Sequence, residues 1–278
     1  MKILVDKAYR DGYAVPSFCA WNAEVMAAVL RVAERLRAPV ILMQGPGEFP
    51  VMAPSLMAAV ARAVAGSFDI PAALHLDHGD TLPLVQCCLD AGYTSVMLDC
   101  STRPLKENSD ALREVVRLSR PRGVTVEGEL GHVGKADESS AEAGGESTFT
   151  DPSTARAFVE ATGVDALAVS IGNKHGFYKG EPRLDFSLLS ALHDATGIPL
   201  VLHGGTGISP GDIEKAMARG IAKVNVASEL VHGMRADLAA QWAAGKDLWS
   251  PIAIGAAMVG LEKTIEKWIH VTGAAGRL

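Results

Sequence analysis

The sequence lacks a surplus of basic residues and any long uncharged apolar run. Its 26 Lys and Arg residues are outnumbered by 32 Asp and Glu residues, which leaves a net charge of −6 at pH 7. Because no basic stripe could follow a phosphate backbone, nucleic acid is not an expected partner. No stretch approaches the roughly 18 apolar residues of a membrane-spanning helix, and the start of the chain is too poor in apolar residues for a signal peptide. We therefore expect no membrane partner either.

Cysteines in metal-binding or disulfide spacings are also missing. Cys19, Cys87, Cys88 and Cys100 show neither a CxxC spacing nor the pattern of an extracellular disulfide framework. Reduced thiols in a cytoplasmic protein are the expectation that fits. The chain is nevertheless large enough for a sizeable core, because 48% of its 278 residues are hydrophobic. Its length is close to the typical size of one (β/α)8 barrel, about 250 residues.

Short apolar runs alternate with helical segments along the whole chain. The runs expected to form strands are Ala14–Phe18, Val40–Met43, Ala72–Leu76, Ser95–Leu98, Val124–Val126, Ala166–Ile171, Leu200–Leu202 and Lys223–Val226. The helix start and stop signals between them are Asn22, Ser55 with Gly66, Ser153 with Gly163, and Ser209-Pro210 with Gly220. This alternation, without a break in composition, predicts a single α/β domain over residues 1–278. The predicted architecture is a (β/α)8 TIM barrel with extra helices near both termini.

A segment rich in Gly, Ser, Ala and Glu interrupts this rhythm. Residues 131–148 contain almost no bulky apolar side chain, yet they follow the fifth predicted strand directly. Structureless loops of that length in a compact domain are usually lids or disordered segments. Since this one leaves the carboxyl end of a strand, where barrel enzymes keep their active sites, we predict a mobile active-site lid.

Polar residues gather where the predicted strands end. Asp77 and His78 close the third strand, while His175 and His203 follow the sixth and seventh strands. The carboxyl ends of barrel strands surround one bowl, so the three histidines should converge. Three histidines with an open fourth position are a known ligand set for catalytic zinc, with carboxylates available to orient the imidazoles. The histidines that we expect to be core or surface residues instead are His75, His132, His193, His232 and His270.

Glycine-rich turns after the last two strands supply a second signal. The seventh strand runs into the stretch HGGTG, residues 203–207, and the eighth leads through NVAS, residues 225–228, into a helix. Loops at these two places are the usual phosphate cradle of such a barrel, because bare backbone N–H groups and a helix amino end face the anion. Lys179, in the loop after the sixth strand, could add a positive charge. Glycines used only to turn the chain are the alternative.

Five spaced motifs give the chain a resemblance to a known family. They are HLDHG, VEGELG, AVSIGNKHGFYKG, LHGGTG and KVNVASEL, in this order. From about Ala14 to the C-terminal VTGAAGR, the sequence resembles the class II zinc-dependent ketose-bisphosphate aldolases, which include fructose- and tagatose-bisphosphate aldolases. The resemblance implies reversible cleavage of a ketose (bis)phosphate into dihydroxyacetone phosphate and an aldehyde. It also implies a homodimer or homotetramer.

The resemblance implies a role for the residues at the centre of the bowl. His78, His175 and His203 would hold the catalytic zinc. Asp77 would be the acid/base that moves the proton of the C4 hydroxyl, and Asn225 would hydrogen-bond the enediolate. The chemistry needs such a set, because breaking C3–C4 leaves a carbanion whose charge spreads onto the C2 oxygen, where a zinc ion stabilises it by several kcal/mol. A separate base must take the hydroxyl proton.

The remaining matched residues would bind phosphate and a second cation. Asp99 and Glu129 match places that in some relatives bind a second cation, divalent or monovalent. The residues that would bind the phosphate of dihydroxyacetone phosphate are Gly176, Lys179, Gly204, Gly205, Thr206 and Ser228, with Val226 and Ala227 in the same loop as Ser228.

Three positions depart from the family pattern. Cys19 stands where relatives commonly have Asn, and the lid offers Asp137 where they often carry a Glu that handles the C3 proton. The C-terminal helix has Ala253 at about the place of an Arg that usually reaches the second phosphate from a neighbouring subunit. Without that cation, a phosphate dianion loses a charge-assisted clamp. The aldehyde is therefore hypothesised to be unphosphorylated or to carry a different group, as malonate semialdehyde does.

Three other functions compete with this interpretation. A Schiff-base aldolase would need a lysine inside the barrel, and Lys223 lies on the same side of its strand as Asn225, but this leaves the three histidines unexplained. A non-catalytic, metal-dependent sugar-phosphate-binding protein would not need the acid/base residues Asp77 and Asp137. A zinc hydrolase on the same barrel would need a carboxylate-held water but not Asn225.

Overall fold

Eight parallel strands form a closed barrel in the order in which they occur along the chain, which confirms the predicted (β/α)8 fold. The computed structural model describes residues 1–137, 147–245 and 249–278. The strands are β1 (Val15–Cys19), β2 (Val40–Gln44), β3 (Ala72–Gly79), β4 (Ser95–Leu98), β5 (Thr125–Leu130), β6 (Ala166–Val169), β7 (Leu200–Leu202) and β8 (Ile221–Val226). Pairing of β1 with β8 closes the barrel, with Ser17 opposite Asn225.

Helices surround the barrel, and one helix lies near each end of the chain. They are α1 (Lys2–Asp11), α2 (Ala23–Arg35), α3 (Pro54–Ala65), α4 (Leu82–Ala91), α5 (Leu105–Ser119), α6 (Pro152–Thr162), α7 (Phe186–Thr196), α8 (Pro210–Met217), α9 (Ser228–Ala243) and α10 (Ser250–Val271). Within the described ranges, none of the helices combines the length and the apolar composition needed to span a membrane.

Some of the predicted caps hold and others move by a few residues. The Asn22 side chain accepts a hydrogen bond from the Val25 N–H at 2.9 Å, and Ser209 caps α8 as predicted. The prediction that Ser153 starts α6 was wrong, because the side chain of Asp151 accepts the N–H of Thr154 instead. A proline in the first turn then makes the Asp151 position the natural start, since proline has no N–H to satisfy. The other corrected ends are Ala53 in place of Ser55 before α3, and Ala218 in place of Gly220 after α8.

Two strands extend further than their apolar runs suggest. β3 continues to Gly79 rather than stopping at Leu76, and β5 continues to Leu130 rather than stopping at Val126. The added part of β5 pairs with β6, with Glu127 opposite Ala166 and Glu129 opposite Ala168. Charged residues remain in these strands because the interior of the barrel accepts them as a buried polar network. A search for apolar runs therefore cuts such strands short.

The strands separate an apolar outer layer from a mixed interior. Leu167 and Val169 of β6 belong to the large hydrophobic core between the strands and the helices. Their neighbours Ala166 and Ala168 form a separate small cluster with Val201. Because successive side chains of a strand point to opposite faces, this second cluster lies inside the barrel. Small side chains there leave room for longer polar ones, and the carboxyl ends of the strands carry the candidate site.

Candidate active site

The three histidines singled out in the sequence lie together at the carboxyl ends of the strands. His78 is in β3, His175 is in the loop after β6, and His203 directly follows β7. The ring centroids are 4.6 Å apart for His78 and His203, 5.0 Å for His78 and His175, and 5.6 Å for His175 and His203. One ring nitrogen from each comes within 4.8 Å of those of the other two. Three nitrogens at this spacing can share a single ion.

An irregularity in β3 presents His78 to this centre. Between Leu76 and Gly79 the register with β4 shifts, so that two residues of β3 lie opposite one of β4. His78 has a φ of +44°, a conformation that only a few per cent of non-glycine residues adopt. Gly79 has no room for a side chain, since a Cβ would lie 2.6 Å from the carbonyl oxygen of Met97. The bulge thus explains why glycine follows Asp77 and His78. The strained backbone at His78 directs its imidazole toward the centre.

Carboxylates fix which nitrogen of two histidines faces the centre. The Nδ1 of His78 is 2.7 Å from Oδ2 of Asp99, and the Nε2 of His203 is 3.1 Å from Oε1 of Glu127. Of the other nitrogens, Nε2 of His78 is buried without a hydrogen-bond partner in the described part of the chain, and Nδ1 of His203 lies 3.0 Å from Oε2 of Glu129. Buried polar atoms of this kind call for an ion or ligand. Imidazoles held by carboxylates are the usual arrangement around a protein-bound metal.

The pKa values of the histidines show that the pocket favours a cation. Burial lowers the pKa of all three, but at His78 the carboxylates of Asp77 and Asp99 outweigh it and hold the pKa well above its usual value. At His203, the carboxylates of Glu127 and Glu129 outweigh burial and raise the pKa to about 9. The pKa of His175 lies well below its usual value, because burial and then the two neighbouring imidazoles disfavour a third charge. Three imidazole donors with oriented carboxylates fit a zinc ion, which would replace the protons.

Asp77 lies beside this centre as an ionised carboxylate. The side-chain amide of Asn225 donates to both of its oxygens, at 2.9 and 3.2 Å. Burial raises the pKa of Asp77, but the positive charge at His78, the hydrogen bond from His75 and the Lys223 ammonium together hold it well below its usual value. The group is thus able to accept a proton. That Asn225 orients Asp77 could not be seen from the sequence, because the two residues are on opposite sides of the barrel.

A buried ion pair lies next to Asp77. Lys223 has no solvent exposure, and its Nζ is 3.0 Å from both carboxylate oxygens of Glu127. Burial raises the pKa of Glu127, but the ammonium of Lys223 and the histidines His75 and His203 outweigh it and lower that pKa to about 2. The Nζ is fully buried against Glu127, so a substrate carbonyl has no access to it for Schiff-base formation. The Schiff-base alternative therefore has no support at Lys223.

A small cavity adjoins the histidines on the glycine-rich side. It measures about 20 Å³, and its lining residues are Met43, Asp77, His175, Gly176, Gly204, Thr206, Asn225, Ala227 and Ser228. Gly204 has a φ of +66°, and a Cβ there would run into the carbonyl oxygen of Lys174. The amino end of α9 begins at Ser228, and the positive end of the helix dipole there favours an anion, although the N–H of Glu229 already donates to Oγ1 of Thr206 at 3.3 Å. We call this space the phosphate-side cavity.

Three of the expected phosphate-binding residues are placed differently. Lys179 is exposed and is not among the lining residues of the phosphate-side cavity. Val226 is buried and is also not part of that lining. The N–H of Gly205 already donates to the carbonyl oxygen of Asn225 at 3.1 Å. Gly205 is needed for packing, since a Cβ would lie 2.7 Å from the side chain of Val224.

A larger cavity opens on the other side of Asp77. It measures about 390 Å³, and its lining residues are Cys19, Met43, Gln44, Gly45, Pro46, Gly47, Glu48, Asp77, His78, Asp80, Asp99, Thr102, His132 and Ala227. We call it the β1–β4 cavity after the strands whose ends and loops supply most of these residues. Asp77 lines both cavities, so it stands at their boundary. Glu48 and His132 were not predicted as site residues, because neither belongs to a recognisable motif.

The candidate second-cation residues lie close to the histidines but have other partners. Asp99 accepts the N–H of Ser101 at 2.9 Å with the oxygen that is not bonded to His78. Glu129 accepts the N–H of Val133 at 3.3 Å, and its other oxygen lies 3.0 Å from Nδ1 of His203. Oxygens of both carboxylates come within 4.8 Å of one another and of a His78 nitrogen. A second cation there stays a prediction.

The structure describes Asp137 and only part of the predicted lid. Asp137 accepts the N–H of Phe177 at 3.1 Å, and the neighbouring Ala136 donates to the carbonyl oxygen of His175 at 2.7 Å. This part of the chain is thus joined to the loop that carries His175, although Asp137 lines neither cavity. Residues 138–146 of the predicted lid, 131–148, lie outside the described residues.

The remaining histidines divide as the sequence suggested, with one exception. His75 is fully buried and bonds through Nδ1 to Oγ of Ser95 at 2.8 Å. His193 contacts the hydroxyl of Tyr9, and His232 packs against the ring of Phe177. The potential ligand groups found in the described part of the chain do not include His193, His232 or His270. The exception is His132, which lines the β1–β4 cavity.

Comparison with known proteins gives consistent matches over the full length. The family model described as "Fructose-bisphosphate aldolase class-II" matches residues 1–277. The D-tagatose-1,6-bisphosphate aldolase subunit GatY of Klebsiella oxytoca is 37% identical over 278 residues, covering 100% of this chain and 98% of the relative. The crystal structure of the YdjI aldolase from Escherichia coli K12 is 31% identical with a TM-score of 0.88, covering 99% of this chain and 97% of that one.

A more distant structure agrees on the fold alone. The fructose-bisphosphate aldolase of Campylobacter jejuni is 21% identical with a TM-score of 0.82, over 99% of this chain and 95% of that one. The same barrel thus persists where most side chains differ.

Proposed function

Since this chain belongs to the class II fructose-bisphosphate aldolase family and is a carbon–carbon lyase that cleaves ketose (bis)phosphates by a reversible aldol reaction, we propose how its residues do so. Zinc bound by His78, His175 and His203 is the proposed cofactor. Dihydroxyacetone phosphate is the proposed product on the phosphate side. The observation that carries this proposal is the convergence of three ring nitrogens within 4.8 Å, next to an ionised carboxylate.

The proposed acid/base is Asp77. Its carboxylate takes the proton of the C4 hydroxyl when C3–C4 breaks, and returns it when the bond forms. General acid–base catalysis of this kind contributes about 10²–10⁴-fold to a rate. The amide of Asn225 holds the carboxylate with one N–H and has a second N–H for the enediolate oxygen. A buried oxygen of Asn225, Oδ1, has no partner among the described residues and is a further group that a substrate hydroxyl can meet.

The histidines prepare the centre for the charge that develops on the substrate. Zinc bound there would supply a Lewis acid for the negative charge on the C2 oxygen, worth several kcal/mol. Asp99 and Glu127 keep His78 and His203 in the tautomers that present a lone pair to the centre. The phosphate binds beside them against Gly176, Gly204, Thr206 and the start of α9.

Further proposals concern parts of the site that are supported less directly. Asp137, carried on the predicted lid over residues 131–148, handles the C3 proton. Asp99 and Glu129 bind a second cation in some states of the cycle. Both proposals draw support from nearness to His175 or His78.

We propose a cytoplasmic homo-oligomer, a dimer or a tetramer. Cys87, Cys88 and Cys100 are free thiols, which suits a reducing compartment. Large apolar side chains on and between α9 and α10 are exposed, among them Trp242 and Trp249, and a second copy of the chain would cover them.

An aldol assay tests the proposed function. Purified protein is incubated with dihydroxyacetone phosphate and a panel of aldehydes, with a chelator and then with zinc restored. We expect condensation that the chelator abolishes and zinc recovers. Chelator-resistant condensation with an adduct trapped by borohydride would show a Schiff-base enzyme instead. Tight binding of sugar phosphates without product would show a binding protein, and hydrolysis without condensation would show a zinc hydrolase.

A further inference from the structure

The two cavities divide the substrate at Asp77. If Asp77 takes the C4 hydroxyl proton, C3 and C4 lie near the boundary that this residue forms between the cavities. The proposed phosphate site of the first three carbons lies on the phosphate side of that boundary, against the glycine-rich turns and the start of α9. The rest of the ketose, which becomes the aldehyde, then extends into the β1–β4 cavity. With about 390 Å³, that cavity has room for several hydroxylated carbons.

Four carboxylates line the β1–β4 cavity, together with the imidazoles of His78 and His132. Glu48, Asp77, Asp80 and Asp99 contribute carboxylates, and none of the described lining residues is a lysine or an arginine. Asp77 and Asp99 interact with the histidine centre, so Glu48 and Asp80 define the field further out. A phosphate dianion or a carboxylate on the aldehyde would meet like charge without a clamp. Such a juxtaposition is a common way for a site to reject one substrate in favour of another.

Glu48 is held in place in the turn after β2. One of its oxygens accepts the N–H of Gly45 at 2.6 Å, and the other lies 3.6 Å from the Sγ of Cys19. Glu48 is half-buried, and burial raises the pKa of its carboxyl group. A carboxyl oxygen that accepts one hydrogen bond has a second lone pair left over. The group is therefore a fixed acceptor for hydroxyl groups in the cavity.

His132 contributes a second polar group to the lining of the same cavity. Its side chain is buried, with 6% of the residue exposed, and Nδ1 lies 3.1 Å from Oγ of Ser101. Its other nitrogen, Nε2, is buried without a hydrogen-bond partner in the described ranges. A buried polar atom on a residue that lines a cavity indicates that a ligand completes its hydrogen bonding.

We propose that the β1–β4 cavity binds the aldehyde half as an uncharged polyhydroxy chain whose hydroxyl groups bond to Glu48 and His132. Glu48 thereby determines specificity, since it accepts hydroxyl groups and repels a phosphorylated or carboxylated aldehyde. This inference rests on the proposed aldol reaction. It selects a ketose monophosphate as the substrate class and disfavours malonate semialdehyde, which is an anion.

Condensation kinetics with the zinc-loaded enzyme test the proposal. Dihydroxyacetone phosphate is paired with glyceraldehyde, with glyceraldehyde 3-phosphate, and with propionaldehyde, which lacks the hydroxyl groups. We expect kcat/KM for glyceraldehyde to exceed the values for both other aldehydes by about tenfold or more. A preference for glyceraldehyde 3-phosphate would overturn the inference and leave the proposed function intact. Condensation with none of the three would overturn both.

Variants then assign the preference to Glu48. Glu48→Gln should raise kcat/KM for glyceraldehyde 3-phosphate relative to glyceraldehyde by about tenfold. Glu214→Gln, which removes an exposed carboxylate from α8, is the matched control and should leave the ratio unchanged. An unchanged ratio in Glu48→Gln would contradict the role of Glu48. If that variant does not fold, His132→Asn provides the second measurement, and the advantage of glyceraldehyde over propionaldehyde should shrink in it.

Discussion

The two cavities that meet at Asp77 differ in the parts of the chain that line them. The phosphate-side cavity lies against the glycine-containing loops after β6 and β7 and the first turn of α9, whereas acidic and other polar side chains from several separate loops line the β1–β4 cavity. Backbone N–H groups bind any phosphate, so this half needs little variation between related enzymes. In our proposal, side chains of the β1–β4 cavity determine the choice of aldehyde. The residues for the chemistry and those for the substrate range of this barrel are therefore separable.

The largest expected effect concerns Asp77, the one ionisable residue among the three that line both cavities. Asp77→Ala should lower kcat by about 10²–10⁴-fold with every aldehyde, because the proton of the C4 hydroxyl then has no acceptor. Zinc content should stay at one ion per chain, since Asp77 is not one of the three histidines. Elemental analysis and single-turnover kinetics check the two statements. Turnover at the wild-type rate would remove Asp77 from the role of base.

A second variant probes the buried network next to Asp77. Glu127→Gln should lower the free energy of unfolding by about 3–5 kcal/mol, because it leaves the ammonium of Lys223 buried without its counter-ion. Urea denaturation of the zinc-loaded protein measures the change. Adding Lys223→Met to the variant should recover part of the loss. A single variant as stable as wild type would show that water or another group reaches Lys223.

How zinc affinity depends on pH separates the histidine centre from the two cavities. Without metal, the pKa of His203 is raised to about 9, so below that pH a proton must leave before a metal binds. Apparent zinc affinity should therefore rise with pH up to about 9, by roughly tenfold per unit for each proton displaced. Calorimetry in buffers of different ionisation enthalpy counts the protons. Zinc uptake without proton release would contradict the charge state described for His203.

The smallest expected effect sharpens the contrast between the cavities. Gly204→Ala places a side chain at positive φ and against the carbonyl oxygen of Lys174, which distorts the phosphate-side turn. The strained φ alone is of the order of 1–3 kcal/mol and the contact with the carbonyl oxygen adds to it, so KM for dihydroxyacetone phosphate should rise by about tenfold or more without a change in the ratio between aldehydes. Glu48→Gln should instead change the ratio between aldehydes and leave KM for dihydroxyacetone phosphate unchanged. Initial-rate kinetics with both substrates varied distinguish the two, and a change of aldehyde preference in Gly204→Ala would break the comparison.

The sequence predicted the barrel and the histidine cluster well for a physical reason. Short apolar runs indicate buried strands, and barrel geometry brings the carboxyl ends of these strands to one bowl. The convergence of His78, His175 and His203 could therefore be predicted. The ends of β3 and β5 were missed because polar residues such as Asp77 and Glu127 continue the hydrogen-bonded ladder inside the barrel.

Side-chain partners across the barrel were beyond the reach of the sequence. The bond between Asn225 and Asp77 and the ion pair between Lys223 and Glu127 depend on strand register and rotamers, which no local pattern encodes. Glu48 belongs to a loop, and the conformation of that loop determines whether its side chain lines the cavity. Glycine turns are different, because a positive φ leaves a mark in the sequence. The phosphate side was therefore predictable in outline, and the β1–β4 cavity was not.

Anomalous diffraction at the zinc edge tests the central claim most directly. Crystals of the protein grown with zinc should show one strong peak between the rings of His78, His175 and His203, about 2.0–2.1 Å from a nitrogen of each. A strong peak elsewhere in the chain, or none at this place, would contradict the account.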